Sequence, residues 1–147
     1  MLPKYHLILG FLFSLILYSI FPFIYLSGFF IIFFSSFLID VDHYIYYIFK
    51  KKDLNLKKAY KYFFEKRKKF ISSTKFVNER PNPAMYFLHG VEVLLILFIF
   101  GIFISKYFLF IFIGFSFHLF LDILEQIYYG FKIAKISLVY DFIKLKN

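Results

Sequence analysis

The stretch LILGFLFSLILYSIFPFIYLSGFFIIFFSSFLI, residues 7–39, contains no charged side chain. As a single helix it would be about 50 Å long, well beyond the roughly 30 Å hydrocarbon core of a bilayer. Pro22 lacks a backbone N–H, and Ser27-Gly28 favours a turn, so the run can reverse near its middle. We therefore predict two short membrane-spanning helices, at about 5–21 and 23–41. If the run were one tilted helix instead, its two ends would lie on opposite sides of the bilayer.

The composition indicates the same class of protein. Hydrophobic residues make up 61% of the chain and the mean hydropathy is +0.72, which is far above a soluble globular protein. Two further apolar runs predict helices at about 85–105 and 107–128, with Lys106 at the reversal between them. The predicted fold class is all-α, a four-transmembrane-helix bundle in which 1–147 forms a single membrane domain.

Residues 50–80 have a different composition, since they contain 12 of the 18 basic side chains. Leu56, Tyr60 and Phe64 recur at helical spacing, lysines fill the other positions, and Asp53 is a candidate N-cap. This pattern is typical of a basic amphipathic helix lying on a membrane surface. We predict such an interfacial helix in a cytoplasmic loop between the second and third membrane helices.

The distribution of lysines predicts the orientation. The loop at 50–80 and the tail at 131–147, which we interpret as interfacial, are lysine-rich, whereas the opposite turns contain only Lys106. By the positive-inside rule, the protein is an integral inner or plasma membrane protein with cytoplasmic N and C termini. A net charge of +9 also suits nucleic acid, but these basic residues are tethered beside apolar helices and no nucleic-acid motif occurs, so membrane lipids are the expected partners.

Polar side chains collect at the predicted cytoplasmic ends of all four helices. Every histidine and five of the nine acidic residues fall there, in His6, DVDH (40–43), LHGVEV (88–93) and HLFLDILE (118–125). The spacings are i,i+3 or i,i+4, so each set forms one stripe on its helix. Acids at a membrane edge normally face the bundle interior and have a partner. We therefore expect these side chains to converge.

Imidazole nitrogen and carboxylate oxygen together are a donor set for divalent transition metals, and no cysteine is available. The candidate ligands are His6, Asp40, His43, His89, His118 and Asp122. One or two ions are expected, with Zn favoured and Mn or Fe as alternatives. Taken singly, a His or Asp at a helix end is often just a polar residue reaching water.

Two acids are candidate catalytic residues. Glu92 lies one turn from His89 and could be a further ligand or the general base. Asp42 is the second candidate, although on a continuous helix it points about 160–200° away from Asp40, so Asp42 and Glu125 could equally be bystanders. Arg80 is a candidate contact for a substrate phosphate.

The order of these motifs resembles the YdjM-like family, small inner-membrane proteins described as metal-dependent hydrolases, some of them LexA-regulated. DVDH (40–43) and HLFLD (118–122) match its pattern most closely. The family's middle segment is of the H-R-x-x-T-H-S kind, whereas this chain has LHGVEV, with Glu92 and no second histidine. The resemblance implies Asp40, His43, His89, His118 and Asp122 as ligands, with His6 and Asp42 beside them.

Three functions remain open at this point. The leading hypothesis is a membrane-embedded, metal-dependent hydrolase at the cytoplasmic interface, acting on a lipid-linked phosphoester or pyrophosphate. The second is a metal-ion or proton carrier that uses the same polar groups, although the outer helix ends offer no polar residues to continue a path. The third is a non-catalytic membrane protein whose polar cluster is a structural hydrogen-bond network.

Overall fold

The computed structural model describes residues 3–72, 87–130 and 137–138, and every regular element that it gives in these ranges is an α-helix. The all-α prediction is therefore confirmed for this part of the chain. The six helices in chain order are α1 (Pro3–Ile20), α2 (Leu26–Leu38), α3 (Val41–Lys51), α4 (Leu56–Ser72), α5 (Val91–Phe103) and α6 (Lys106–Tyr128).

Among the described residues, three stretches of helix are long and apolar enough to cross a membrane: Pro3–Ile20, Leu26–Lys51 and Lys106–Tyr128. The second of them comprises α2 and α3 together. A fourth apolar helix, Val91–Phe103, is shorter. The protein thus has the helices expected of a membrane protein.

The apolar run at 7–39 breaks at Pro22, as predicted, whereas Ser27-Gly28, the second predicted turn signal, lies within α2. Helix α1 ends at Ile20, and Phe21–Tyr25 form the connection to α2. Pro22 cannot donate a helical hydrogen bond and disfavours helical geometry at Phe21, so the helix stops there. The turn is closed by a hydrogen bond from the Ile24 N–H to the Phe21 carbonyl, 3.0 Å long.

Contacts divide the chain into two units. Unit 1 consists of Met1–Ile39 and Val91–Asp122, and unit 2 consists of Asp40–Gly90 and Ile123–Asn147. The core of unit 1 contains Ile24, Ile32 and Phe110, and partly buried hydrophobic side chains pack against them.

Helices α1 and α2 of unit 1 pack antiparallel. Their aromatic rings pair in opposite order along the two helices, Phe11 with Phe33 and Tyr18 with Phe29. Gly10 allows a close approach, since a Cβ at this position would overlap the Ser36 hydroxyl. Small residues at such positions let helix backbones come together.

Helices α2 and α6 run in the same direction. Gly28 lies against Phe110, and one turn later a Cβ at Gly114 would come within 2.6 Å of the Ile32 carbonyl oxygen. Phe13 of α1 stacks on Phe117 of α6, with ring centroids 3.9 Å apart. The start of α1 therefore lies beside the end of α6.

Unit 2 contains a hairpin of α3 and α4. Lys52 ends α3 in the left-handed conformation, with φ of 51°, and the Tyr44 hydroxyl donates to the Leu54 carbonyl oxygen over 2.6 Å. Asn55 caps α4, because its side-chain oxygen accepts from the Lys58 N–H at 3.1 Å. The predicted cap Asp53 is therefore wrong; Asp53 instead accepts from the Asn55 N–H and pairs with Lys58.

Several predicted bounds differ from the structure. The second predicted helix, 23–41, ends at Leu38, because the chain turns at Ile39-Asp40 before α3 begins. The third, 85–105, begins only at Val91, after the turn and bend at 87–90. The tail at 131–147 lies outside the described residues except for 137–138, as does 73–80 of the basic loop. The four-helix bundle, the interfacial position of α4 and the single domain stay predictions.

Candidate metal centre

The first group of candidate ligands lies in unit 1 and consists of His6, His118 and Asp122; we call it the His6 group. His6 comes from the start of α1, and the other two come from the last turns of α6. Nε2 of His6 lies 3.2 Å from Oδ1 of Asp122, and Nε2 of His118 lies 3.5 Å from Oδ2 of the same carboxylate. Both imidazoles are completely buried.

The hydrogen bond of His118 determines its tautomer. Its Nδ1 lies 2.8 Å from the backbone carbonyl oxygen of Ser36. A carbonyl oxygen only accepts, so Nδ1 must be the protonated nitrogen. The neutral ring then has its lone pair at Nε2, on the side of Asp122. This arrangement, with one nitrogen hydrogen-bonded to protein and the other directed at a carboxylate, is typical of a metal-ligating histidine.

His6 lies flat against His118, with ring centroids 3.9 Å apart and planes inclined by 17°. Within the described residues, Nδ1 of His6 has no hydrogen-bond partner although the ring is fully buried. A buried polar group without a partner costs about 1–3 kcal/mol. The two stacked imidazoles cannot both become positively charged at low cost, because like charges in contact repel. A cation bound at the two Nε2 atoms would keep both rings neutral, which relieves the second of these costs.

The second group lies in unit 2 and consists of Asp40, His43 and His89; we call it the His89 group. Asp40 precedes α3 and makes no side-chain capping hydrogen bond. Its Oδ1 lies 3.5 Å from Nδ1 of His43 and 3.9 Å from Nε2 of His89. His89, from the turn before α5, is buried, whereas Asp40 and His43 are about one-fifth exposed.

Asp42 contacts both histidines of the His89 group and is almost completely buried. Its Oδ2 accepts from Nδ1 of His89 at 2.8 Å and from the Leu88 N–H at 3.1 Å, while its Oδ1 lies 2.9 Å from Nδ1 of His43. A carboxylate only accepts, so both imidazoles are protonated at Nδ1. Asp42 therefore orients both rings. The lone pair of His89 is at Nε2, which is the nitrogen nearer to Asp40, whereas His43 directs its protonated Nδ1 at Asp42 and Asp40.

The donor atoms of each group are close enough to hold an ion. One donor atom from each residue lies within 4.8 Å of the other two in both groups. Tetrahedral zinc with ligands at about 2.1 Å requires donor separations of about 3.4 Å, close to the separations in the His6 group. Three protein ligands is also the number found at catalytic zinc sites, which keep a position for water or substrate. Each group could therefore hold a metal ion.

The other predicted site residues lie elsewhere. Glu92 is half-buried in the first turn of α5 and belongs to neither group. Arg80 lies outside the described residues. The catalytic roles of Glu92 and Asp42 stay predictions, and the described contacts of Asp42 are those of a residue that orients histidines. Glu125 forms an ion pair with Arg67 of α4.

Two features of the site are missing from the sequence prediction. The first is the Ser36 carbonyl, which orients His118. It is a backbone group, and the side chains around it in the sequence do not indicate a role at a metal site. The only hint is the small pair Ser35-Ser36 in a phenylalanine-rich helix, which is typical of a close helix approach. The Arg67–Glu125 ion pair joins residues that are far apart in the chain, and nothing in either segment indicates the other.

No family model, no curated protein and no solved structure matches this chain.

Proposed function

We propose that this protein is a membrane-embedded, metal-dependent hydrolase that acts at the cytoplasmic interface on a lipid-linked phosphoester or pyrophosphate. The observation that supports it best is that all six predicted ligands fall into two groups of three. His6 and Asp122 come from opposite ends of the sequence and lie 3.2 Å apart. Such proximity of buried imidazole and carboxylate is costly unless it serves a ligand or a network.

The proposal includes a membrane topology. Three stretches of helix among the described residues, α1, α2 with α3, and α6, are long and apolar enough to cross a bilayer. The shorter α5 would complete a four-helix bundle. The lysine-rich α4 would lie on the cytoplasmic surface, and both termini would be cytoplasmic by the positive-inside rule. The metal ligands would then lie at headgroup depth in the inner or plasma membrane, where the phosphate of a lipid-linked substrate is found.

The donor set favours Zn²⁺, with Mn²⁺ or Fe²⁺ as alternatives, and one or two ions. When bound, such an ion supplies a reactive water at neutral pH and polarises a phosphoryl oxygen. The protein's own residues prepare the site for it. The Ser36 carbonyl and the Asp42 carboxylate fix Nδ1–H on His118 and His89, which leaves both Nε2 atoms as donors.

Two further residues have roles in the proposal. Glu92, at the start of α5, is the candidate general base that would take a proton from the attacking water. Arg80 and the loop lysines would attract the phosphate of the substrate. Membership in the YdjM-like family is part of this proposal too, and it depends on the order of the motifs DVDH and HLFLD.

The test is the metal content and turnover of the purified full-length protein. Wild type, Asp40→Ala and His118→Ala would be compared with Glu65→Gln, which removes an exposed acid of α4. We expect stoichiometric transition metal in the wild type and in Glu65→Gln, with release of phosphate or headgroup from lipid phosphoesters. Asp40→Ala should lose the ion of the His89 group and His118→Ala the ion of the His6 group, and turnover should fall with the loss of either ion.

Other outcomes would identify a different function. Retention of both metal and turnover in Asp40→Ala and His118→Ala would overturn the proposal. Metal without hydrolysis, together with ion flux in proteoliposomes, would indicate the carrier. A wild-type protein without metal, with stability unchanged by chelators, would indicate the structural network, for which the hydrogen bonds around Asp42 are the specific observation.

A further inference from the structure

The hairpin formed by α3 and α4 exposes an apolar stripe on each of its helices. On α3 the stripe consists of Val41, Ile45 and Phe49, at positions i, i+4 and i+8, and Phe49 is 80% exposed. Side chains at this spacing lie on one face of a helix. Tyr47, on the opposite face of α3, is buried. Asp42 is also buried, but it lies about 100° round the helix from Val41, beside the stripe.

Helix α4 repeats the pattern. Leu56, Tyr60 and Phe64 are again at i, i+4 and i+8, and all three are exposed. Ala59 of the same helix is buried, and Phe63 packs edge-on against His43 of α3. Helix α4 thus already has a side that packs within unit 2. In the part of the chain that the structure describes, the stripe is a second apolar surface that stays exposed, although Arg67, one turn after Phe64 on the same side, pairs with Glu125.

Cations surround these stripes. Nine lysines and one arginine fall between residues 50 and 69, against two acids, Asp53 and Glu65. Lys57 and Lys61 follow stripe residues by one position, about 100° round the helix, where a lysine can extend its ammonium beside an apolar face. Lys50 and Lys51 end α3 with their ammonium groups over tyrosine rings. The surface therefore combines apolar insertion residues with excess positive charge.

Hydrogen bonds and an ion pair hold the connection between α3 and α4. Asn55 caps α4, and Asp53 accepts from the Asn55 N–H at 2.9 Å and pairs with Lys58 at 3.1 Å. The Asn55 N–H, followed by Lys58, holds the pKa of the exposed Asp53 carboxyl below its usual range. The hairpin therefore presents its two stripes in a preformed arrangement, which lowers the entropy cost of binding.

We propose that the α3–α4 hairpin is a docking surface for an anionic phospholipid leaflet. The apolar stripes enter the boundary between headgroups and acyl chains, and the lysines contact lipid phosphates. Charge complementarity favours this occupant, and the apolar helix α2, which is the first half of the stretch Leu26–Lys51, leads directly into the hairpin. The proposal extends the expected interfacial segment to α3 and does not depend on metal binding or hydrolysis.

Tryptophan fluorescence tests this proposal directly, because the chain contains no tryptophan. Full-length Ile45→Trp and Tyr60→Trp variants would be placed in nanodiscs of phosphatidylcholine, with or without phosphatidylglycerol, made from brominated lipids. We expect bromine quenching and a blue-shifted emission for both variants when the anionic lipid is present. Glu65→Trp, on the lysine-rich side of α4, is the matched control and should remain unquenched.

Lysine substitutions separate the electrostatic contribution. Each lysine near an anionic surface strengthens association about fivefold, so Lys57→Gln with Lys61→Gln should weaken the quenched state by about 25-fold in a stripe-tryptophan background. Lys106→Gln, at the start of α6, should leave quenching unchanged.

Three results would overturn the proposal: stripe tryptophans that are unquenched in every lipid, quenching equal to that of Glu65→Trp, or quenching independent of phosphatidylglycerol. The first would show that the stripes do not enter the lipid at all. None of these measurements involves turnover or metal content. Failure here would remove the surface position of α4 from the proposed topology but would leave metal binding and hydrolysis to their own test, and the reverse also holds.

Discussion

Nδ1 of His89 lies 2.8 Å from Oδ2 of Asp42, although Asp42 is in the first turn of α3 and His89 is in the turn before α5, far away in the sequence. The same carboxylate contacts Nδ1 of His43 with its other oxygen. One acid therefore fixes the protonated nitrogen of two candidate metal ligands. Carboxylates in this position commonly strengthen metal binding by orienting the imidazole and raising its basicity.

Asp42→Asn should weaken metal binding by the His89 group. The asparagine amide has one oxygen and one NH₂, so it cannot accept from both imidazoles. One ring must therefore change its tautomer or rotate. Loss of such a partner typically lowers metal affinity by about 10–100-fold, and we expect about 30-fold for Asp42→Asn. Competition with a chelator measures the affinity, and ¹⁵N spectra of the imidazole nitrogens report the tautomers.

Two comparisons make this test specific to positioning. Glu65→Gln removes an acid of the same unit from an exposed site and should change neither measurement. Asp42→Glu keeps the carboxylate and should recover part of the affinity. Unchanged imidazole tautomers and unchanged affinity in Asp42→Asn would contradict the positioning role.

Removing metal should destabilise the protein. An ion that binds only the folded state stabilises it by RT ln(1 + [L]/Kd), about 4 kcal/mol at a thousandfold excess over Kd. A chelator should therefore lower the thermal midpoint of the wild-type protein in detergent, and added Zn²⁺ should restore it. A His6→Ala/His89→Ala variant, with one ligand removed from each group, should respond little to either. An unchanged wild-type midpoint would argue against a resident ion.

Alanine at the two glycines facing α2 should have different consequences. At Gly114 a Cβ would overlap the Ser35 hydroxyl and would also lie 2.6 Å from the Ile32 carbonyl oxygen, and backbone cannot rotate away. At Gly10 the obstacle is the Ser36 side chain. We expect Gly114→Ala to destabilise unit 1 by about 1–3 kcal/mol, with Gly10→Ala less severe.

Second substitutions test the reason for this difference. Ser36→Ala should recover part of the stability lost in Gly10→Ala, because it removes the hydroxyl that a new Cβ overlaps. Ser35→Ala should give little recovery in Gly114→Ala, because the Ile32 carbonyl remains. Thermal unfolding measures both pairs, and equal recovery in the two would show that backbone contact is not the obstacle at Gly114.

The Arg67–Glu125 ion pair should hold α4 to the end of α6 within unit 2. Burial lowers the pKa of the Arg67 guanidinium, but the hydrogen bond and charge of Glu125 outweigh this, so the pKa is raised overall. Arg67→Met or Glu125→Gln should each cost about 1–3 kcal/mol and reduce amide protection in α4, measured by hydrogen exchange. The exchanged pair, Arg67→Glu with Glu125→Arg, should recover part of that protection. Equal loss in the exchanged pair and the single variants would exclude a direct charge interaction.

The sequence predicts the class of fold because its signals are local. Charge-free runs, Pro22 and the lysine-rich segment define apolar helices, a break and an amphipathic helix without reference to any other part of the chain. The six candidate ligands were also predictable, since histidines and acids at the ends of apolar helices are few and costly. The helix bounds near Asp40 and Val91 were less predictable, because short turns there depend on neighbouring contacts.

What the sequence by itself determined is therefore which segments are apolar helices and which polar side chains have a reason to converge. Only the tertiary structure decided the grouping, with His6 beside His118 and Asp122, and Asp40 with His43 and His89. It also decided that Asp42, which helical spacing turns away from Asp40, lies beneath two imidazoles. The physical reason is that hydrophobicity is summed along a segment, whereas a coordination geometry and a hydrogen bond such as His118 to Ser36 depend on the packing between helices.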